Sequence, residues 1–235
     1  VGPTDMASLH CSKRGCVGVQ VTSSHMPLNF NGLKFMYPAG NGFINEDLNR
    51  LEEIFRENSF NEENRGNLRQ VKDSREDYEE SLRKFVEKEI GVPGSRKVVV
   101  ETMGGAGAGY LPETLEKLGF KVFNVNNSSE PYRNPPNPSP ENLDELVESF
   151  EFQDADLGLA LDLDADRVAA YYDGEWVSGD DLFCIFAQIF EGDVVASVDT
   201  DTKIEDFCSE IFYTRVGDPF VISETIDKNA VLSGE

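Results

Sequence analysis

Three short apolar runs constrain the fold of this chain more than any other feature: KVVVE (97–101), FKVFNV (120–125) and ADLGLALDLD (155–164). Stretches of helical periodicity separate them. Apolar runs that alternate with amphipathic helices require an α/β architecture with a largely parallel or mixed sheet. KVVVE is followed by a glycine-rich turn and a helix carrying Leu111, Leu115 and Leu118, which stops at Gly119. SPENLDELVESF (139–150) is the clearest helix. Ser139 is placed to cap it, Pro140 stands in its first turn, and Leu143, Leu146, Val147 and Phe150 fall on one face. The third run is a buried strand that ends in acids.

CVGVQVT (16–22) alternates like a strand and leads into a polar loop. Residues 73–90 read as a long amphipathic helix with an Asp73–Glu76 capping box and an inner face of Tyr78, Leu82, Phe85, Val86 and Ile90. GVPGSRK (91–97) interrupts both periods and reads as a domain linker. From Gly192 a second strand-helix series begins, DVVASVD, TKIEDFCSEI, FYTRVGD and PFVISETIDKN, and it stops on the strand-like AVLSGE. The Pro- and Asn-rich segment NNSSEPYRNPPNPSP (126–140) reads as an ordered connection. The expected units are therefore 1–92, 93–191 and 192–235.

The charge balance, 44 acids against 21 bases for a net of -23, argues against nucleic acid, because a polyanion needs clustered Lys and Arg. Acids spread along segments such as DSREDYEE leave two readings open: a surface adapted to high salt, or a soluble acidic protein. The longest apolar run, LFCIFAQIF, is about half of the roughly 20 residues that a membrane span requires, so no membrane partner is expected. The start has neither a basic lead nor an apolar signal core, and the absence of an initial Met points to a clipped or partial chain. Cys11, Cys16, Cys184 and Cys208 form no CxxC pair and read as reduced thiols of a cytoplasmic protein. His10, Cys11, Cys16 and His25 have the wrong spacing for a zinc knuckle.

Asp162, Asp164 and Asp166 stand at alternate positions just after a buried strand, with Arg167 next. Three converging carboxylates repel one another unless a cation lies between them, and hard oxygen ligands select Mg2+ or a similar ion. The competing reading is a solvated acidic turn. An EF-hand would need Gly and Glu where Arg167 and Asp173 stand. A phosphatase of the haloacid dehalogenase type would use Asp162 as nucleophile but would not require the third Asp.

These pieces together resemble the α-D-phosphohexomutase family, which includes phosphoglucomutase, phosphomannomutase and phosphoglucosamine mutase. The family's serine loop, Thr-Ala-Ser-His-Asn-Pro followed by Asn-Gly-x-Lys, is matched by Thr22, Ser23, Ser24, His25, Met26 and Pro27, then Asn31, Gly32, Leu33 and Lys34. Its metal loop, Asp-Gly-Asp-Ala-Asp-Arg, is matched by Asp162 to Arg167, with Leu163 in place of the glycine. TRVGDPFV and the final SGE resemble the third domain's Val-Gly-Asp segment and the start of its sugar-recognition loop. The resemblance implies mixed-sheet α/β/α domains of the phosphohexomutase type. The units at 1–92, 93–191 and 192–235 would then be the end of domain 1, domain 2 and part of domain 3.

The resemblance also implies an activity, the interconversion of hexose 1-phosphate and hexose 6-phosphate through a phosphoserine and a bisphosphorylated intermediate. By position Ser24 would be the phosphate carrier, and Mg2+ would be held by Ser24, Asp162, Asp164 and Asp166. Lys34 would be the general base with its pKa lowered by its surroundings, His25 would orient the exchange, and Arg167 would contact phosphoryl oxygens. Arg215, Gly217, Asp218 and Glu235 would meet the phosphorylated hexose. Two departures stand out: Met26 removes a hydrogen-bonding side chain from the serine loop, and Leu163 would be strained if its position needs a positive φ. The alternatives are the phosphatase using Asp162 and a non-catalytic, mutase-derived module. The preferred hexose and the oligomeric state are not legible.

Overall fold

The computed structural model describes residues 2–60, 66–71, 74–89, 91, 94–126 and 136–235, and the strands among them form three sheets. Helix α1 (Thr4–Arg14) precedes β1 (Gly18–Thr22) and β2 (Gly32–Met36), an antiparallel pair in which Gln20 faces Lys34. Helices α2 (Asn45–Glu57) and α3 (Ser74–Glu89) follow. The chain then enters β3 (Lys97–Glu101), α4 (Leu111–Lys117), β4 (Lys121–Val125), α5 (Asp144–Gln153), β5 (Leu157–Leu161), β6 (Val168–Tyr172) and β7 (Glu175–Val177). These five strands form one sheet in the order β4-β3-β5-β6-β7, parallel across β4, β3 and β5 and antiparallel beyond. Helix α6 (Gly179–Phe190), β8 (Val194–Ser197), β9 (Ile211–Thr214), α7 (Asp218–Lys228) and β10 (Leu232–Gly234) complete the chain, with a parallel sheet ordered β10-β8-β9.

The sheet is mixed because the tight return after β5 leaves room only for a hairpin-like reversal, whereas the longer segments between β3, β4 and β5 accommodate helical crossovers. Val98, Val99 and Val100 are buried on a strand covered on both faces, which is why KVVVE does not alternate. Val99, Met103, Leu143, Leu146, Ala160 and Tyr171 make the core of this unit. A second core gathers Phe183, Cys184, Ala187, Val194, Ala196 and Ile204.

Several local expectations need correction. Ser139 does not cap α5: a short 3-10 turn, Pro140–Asn142, intervenes, and the Ser139 hydroxyl instead accepts a bond from Asn142 Nδ2 at 3.0 Å. TKIEDFCSEI yields only a 3-10 turn, Thr202–Phe207, started by the Asp201 carboxylate, which accepts from Lys203 N at 3.0 Å. On α3, Tyr78, Leu82 and Val86 are half-buried rather than core, and Phe85 is 49% exposed. Asp73, Ile90, the linker residues Val92 and Pro93, and residues 127–135 of the connecting segment lie outside the described residues.

The turn after β3 leans directly on the acidic loop after β5. A Cβ at Gly105 would lie 2.5 Å from the Leu163 carbonyl oxygen and 2.6 Å from its Cα, and Ala106 N donates to that same oxygen at 2.6 Å. Both neighbours are backbone and cannot swing aside. Gly105→Ala is expected to destabilise the fold by about 1–3 kcal/mol, seen as a lower urea midpoint at an unchanged m-value. An unchanged midpoint would show that the loop yields freely.

Candidate active site

The acidic loop is a tight reversal between β5 and β6. Ala165 N donates to Asp162 O at 3.2 Å and Ala165 takes a φ of 59°. The left-handed residue is therefore Ala165, not Leu163, whose side chain instead packs against the β3–β5 core, so the expected strain at Leu163 does not arise. The turn buries Asp162 and Asp164 and leaves Asp166 at the rim, with one oxygen of each within 4.8 Å of the others. Asp162 Oδ1 accepts from the backbone of Asp166 at 3.2 Å and of Arg167 at 3.3 Å.

This donor set suits a metal ion. Asp164 Oδ1 is buried and has no hydrogen-bond partner among the described residues, an arrangement that costs free energy unless a cation meets it. Three carboxylates supply only hard oxygens. Among the described residues this triad is the one cluster of three or more ligating side chains close enough to hold a metal. The zinc alternative is absent geometrically: His10 Nδ1 is paired with Ser74 Oγ at 3.1 Å, and His25 sits in the serine loop.

The serine loop reaches the triad from β1. Ser24 N donates to Thr22 Oγ1 at 2.8 Å, Met26 N donates to Ser23 O at 3.0 Å, and Ser24 adopts a φ of 48°. Backbone and Thr22 thus shape the loop, while the Met26 side chain is exposed. In that conformation Ser24 Oγ donates to Asp162 Oδ2 at 3.2 Å and lies 3.3 Å from His25 Nδ1. Burial, with the Arg167 charge next in weight, lowers the His25 pKa.

Lys34 corrects one expectation. Its Nζ lies 3.0 Å from Asp164 Oδ2 and bonds Asp166 Oδ2 as well. Burial acts to lower its pKa, but the hydrogen bonds and charges of Asp166 and Asp164 outweigh it, so the pKa is raised, not lowered. Asp164 shows the reciprocal effect. Burial would raise its pKa, yet the Lys34 bond and charge, followed by Thr22, hold it below the usual value. Asp162 has no such cation, and burial followed by the charges of Asp166 and Asp164 pushes it up to about 7.

Sequence reasoning missed the contribution of α1. Thr4 Oγ1 donates to Asp164 Oδ2 at 3.2 Å and Thr4 N donates to Asp164 O at 2.9 Å, so the start of the helix clamps the acidic loop. Asp5 stands in the first turn of the same helix, with its carboxyl crowded by protein yet open to solvent. Its carboxyl is pushed up to about 6 by burial and then Asp166, with Lys34 opposing. The one available signal was Pro3 ahead of Thr4 and Asp5, a helix-start pattern.

A cavity of about 390 Å3 joins Thr4, Asp5, Ser24, Lys34, Asp166 and Arg167 to Asp218 and Pro219 at the start of α7. Gly217 N donates to Glu235 Oε2 at 2.6 Å beside it. Arg215 is not brought in: its guanidinium lies 3.9 Å over the Phe220 ring and donates to Asn45 Oδ1 at 2.5 Å, and it does not line the cavity.

Residues 1–62 match the family model described as phosphoglucomutase/phosphomannomutase, alpha/beta/alpha domain I, and residues 76–174 match its alpha/beta/alpha domain II. The chain belongs to the phosphohexomutase family. A probable phosphoglucosamine mutase of Methanothermobacter thermautotrophicus is 32% identical over 99% of this chain and 53% of its own length. A phosphoglucomutase/phosphomannomutase of Thermococcus kodakarensis is 32% identical over 93% of this chain and 51% of its own. The crystal structure of a putative phosphomannomutase from Thermus thermophilus superposes with a TM-score of 0.83 at 23% identity, over all of this chain and 56% of that one, and so shares the fold. The chain spans about half the length of the curated relatives it matches.

In this member of the family the carboxyl of Asp162 carries a pH signature. Its folded pKa of about 7 lies above the ordinary value of 3.8, so the proton it holds stabilises the fold fully below the unfolded value and that contribution is lost as pH rises toward 7. Asp164, shifted the other way, contributes above its ordinary value and loses that contribution only in stronger acid. In chelator the thermal midpoint is expected to fall between about pH 5 and pH 7.5, and Asp162→Asn to flatten the fall. A divalent cation should raise the midpoint more at the upper pH, where protons no longer compete. A midpoint indifferent to pH and cation alike would rule out this account of the triad.

Proposed function

We propose that the intact protein is an intramolecular phosphotransferase that interconverts hexose 1-phosphate and hexose 6-phosphate, with Ser24 carrying the phosphoryl group. The observation that carries this reading is the convergence of a nucleophilic hydroxyl, a carboxylate triad and an ammonium: Ser24 Oγ lies 3.2 Å from Asp162, and Lys34 bonds Asp164 and Asp166. The triad would hold Mg2+, together with Ser24, and the bound ion would supply Lewis-acid polarisation of phosphoryl oxygens and offset their charge. We infer that residues 1–92, 93–191 and 192–235 are the units that contribute, respectively, the serine loop, the metal loop and the substrate-facing Asp218.

The chain's own groups divide the work. Thr22 holds the Ser24 backbone through its hydroxyl, so the Oγ points at the triad. His25, with its pKa lowered, receives or returns the serine proton from 3.3 Å. Arg167 lines the cavity beside Ser24 and offers a planar fork to phosphoryl oxygens. Lys34 serves as base toward the attacking hydroxyl only when its carboxylates are otherwise engaged, because they hold it protonated. Two of the three carboxylates that would hold the metal are those same groups, Asp164 and Asp166. Asp218, Gly217 and Glu235 would meet the sugar, and relatives named for phosphoglucosamine and phosphomannose chemistry support a hexose phosphate.

The test is turnover of glucose 1-phosphate, mannose 1-phosphate and glucosamine 1-phosphate by the full-length protein with Mg2+ and a hexose bisphosphate primer. At least one is expected to turn over, with phosphate recovered on Ser24 by mass spectrometry. Ser24→Ala should abolish turnover, whereas an Asp162-dependent phosphatase would keep it. Lys34→Met is expected to cost about 10²–10⁴-fold in kcat. Failure of all three sugars would refute the reading.

A further inference from the structure

Two of the four cysteines meet at the end of α1. The helix closes on Gly15, which takes a φ of 61°, and Cys16 N donates to Cys11 O at 3.2 Å. This bond from the second residue past the helix to the fourth-last helical residue is the six-to-one link of a Schellman ending, a motif that a side-chain contact between those two positions frequently accompanies. Here both positions carry thiols, and the Cys16 side chain is near enough to help push the Cys11 thiol's pKa up, after burial. Cys11 is 3% exposed, Cys16 is half-buried and reachable from solvent, and neither is in a disulfide. Gly18 leaves the space that the Cys11 sulfur fills, since a Cβ there would lie 2.4 Å from it.

We propose that Cys11 and Cys16 are a dithiol site that closes to a disulfide by exchange with a low-molecular-weight disulfide such as oxidised glutathione. The accessible Cys16 thiolate attacks one sulfur of the oxidant, whose S–S bond breaks and releases one thiol. Cys11 then gives up its proton and attacks the mixed disulfide at the Cys16 sulfur, and the second thiol leaves. Two S–H bonds become one S–S bond, and the two electrons and two protons depart on two molecules of thiol. The order follows from access: a bulky oxidant reaches the half-buried sulfur, and the buried one resolves. The helix ending supplies the proximity, because its backbone bond holds the two residues together before any sulfur chemistry occurs. The consequence is a covalent tie across the end of α1, whose first turn clamps Asp164, at the short link that leads into the strand delivering the serine loop.

The folded chain would be equilibrated with glutathione buffers of graded oxidised fraction, quenched with an alkylating agent and digested with trypsin. The expected product is a reducible cross-link between the peptides 1–13 and 15–34, with the intact protein lighter by two hydrogens. Cys16→Ser should abolish the cross-link. The native chain should also form it with an equilibrium constant at least about tenfold above that of the urea-unfolded chain, as a preformed contact requires. Full alkylation of both cysteines under oxidised buffer would overturn the proposal. So would a glutathione adduct that persists on Cys16 unresolved, or equal constants in folded and unfolded chains.

Discussion

The mutual repulsion of three carboxylates at the end of a buried strand is the constraint around which the rest of this site is arranged. Asp162 and Asp164 are almost wholly removed from water, and like charges so placed cannot all stay ionised without nearby positive charge. Two responses are visible. Asp162 retains a proton toward neutral pH, and Lys34 takes a position between Asp164 and Asp166. A fold that tolerates such a cluster gains from it only where a cation is bound, so the acidic loop makes better sense as a metal-ligating device than as a solvated turn.

Asp164 is the hub. Its carboxylate receives Thr4 from α1 and Lys34 from β2, while its own backbone carbonyl accepts from Thr4 N. Residues matched to domain I of the family are thereby tied to the metal loop of domain II. On the serine side the Thr22 hydroxyl accepts from Ser24 N, and Ser24 Oγ donates to Asp162 Oδ2. Nucleophile and ligands are thus held by overlapping hydrogen bonds, which is how a site distant in sequence keeps a constant geometry.

The α/β class, the mixed sheet and the clustering of the three aspartates were legible in the sequence because each rests on local pattern, apolar runs and alternate acids, whereas the serine loop stood out only through its resemblance to the family motif. What was not legible depends on through-space neighbours. The spacing of Lys34 says nothing of the two carboxylates that raise its pKa, and a charge partner 132 residues away leaves no periodicity. Thr4 and Asp5 looked like an unremarkable helix start. Leu163 seemed strained only because its backbone was judged by a family position, whereas the turn places the left-handed residue two positions later, at Ala165. The helix expected at TKIEDFCSEI failed because the Asp201 side chain starts a tighter turn that ends at Phe207.

Lys34 and a divalent cation want the same oxygens, and that competition carries a functional meaning. An ammonium bonded to two carboxylates is a poor base, since its proton is held by the charges that the site must keep. A metal ion held by Asp164 and Asp166 would share their negative charge and weaken their hold on the Lys34 proton, which the proposed role of Lys34 as a base requires. Burial already pushes in that direction and is masked only by the ion pairs. On the proposed reading, one loop would keep the lysine protonated and positioned in the empty site and loosen its proton once a cation is held there.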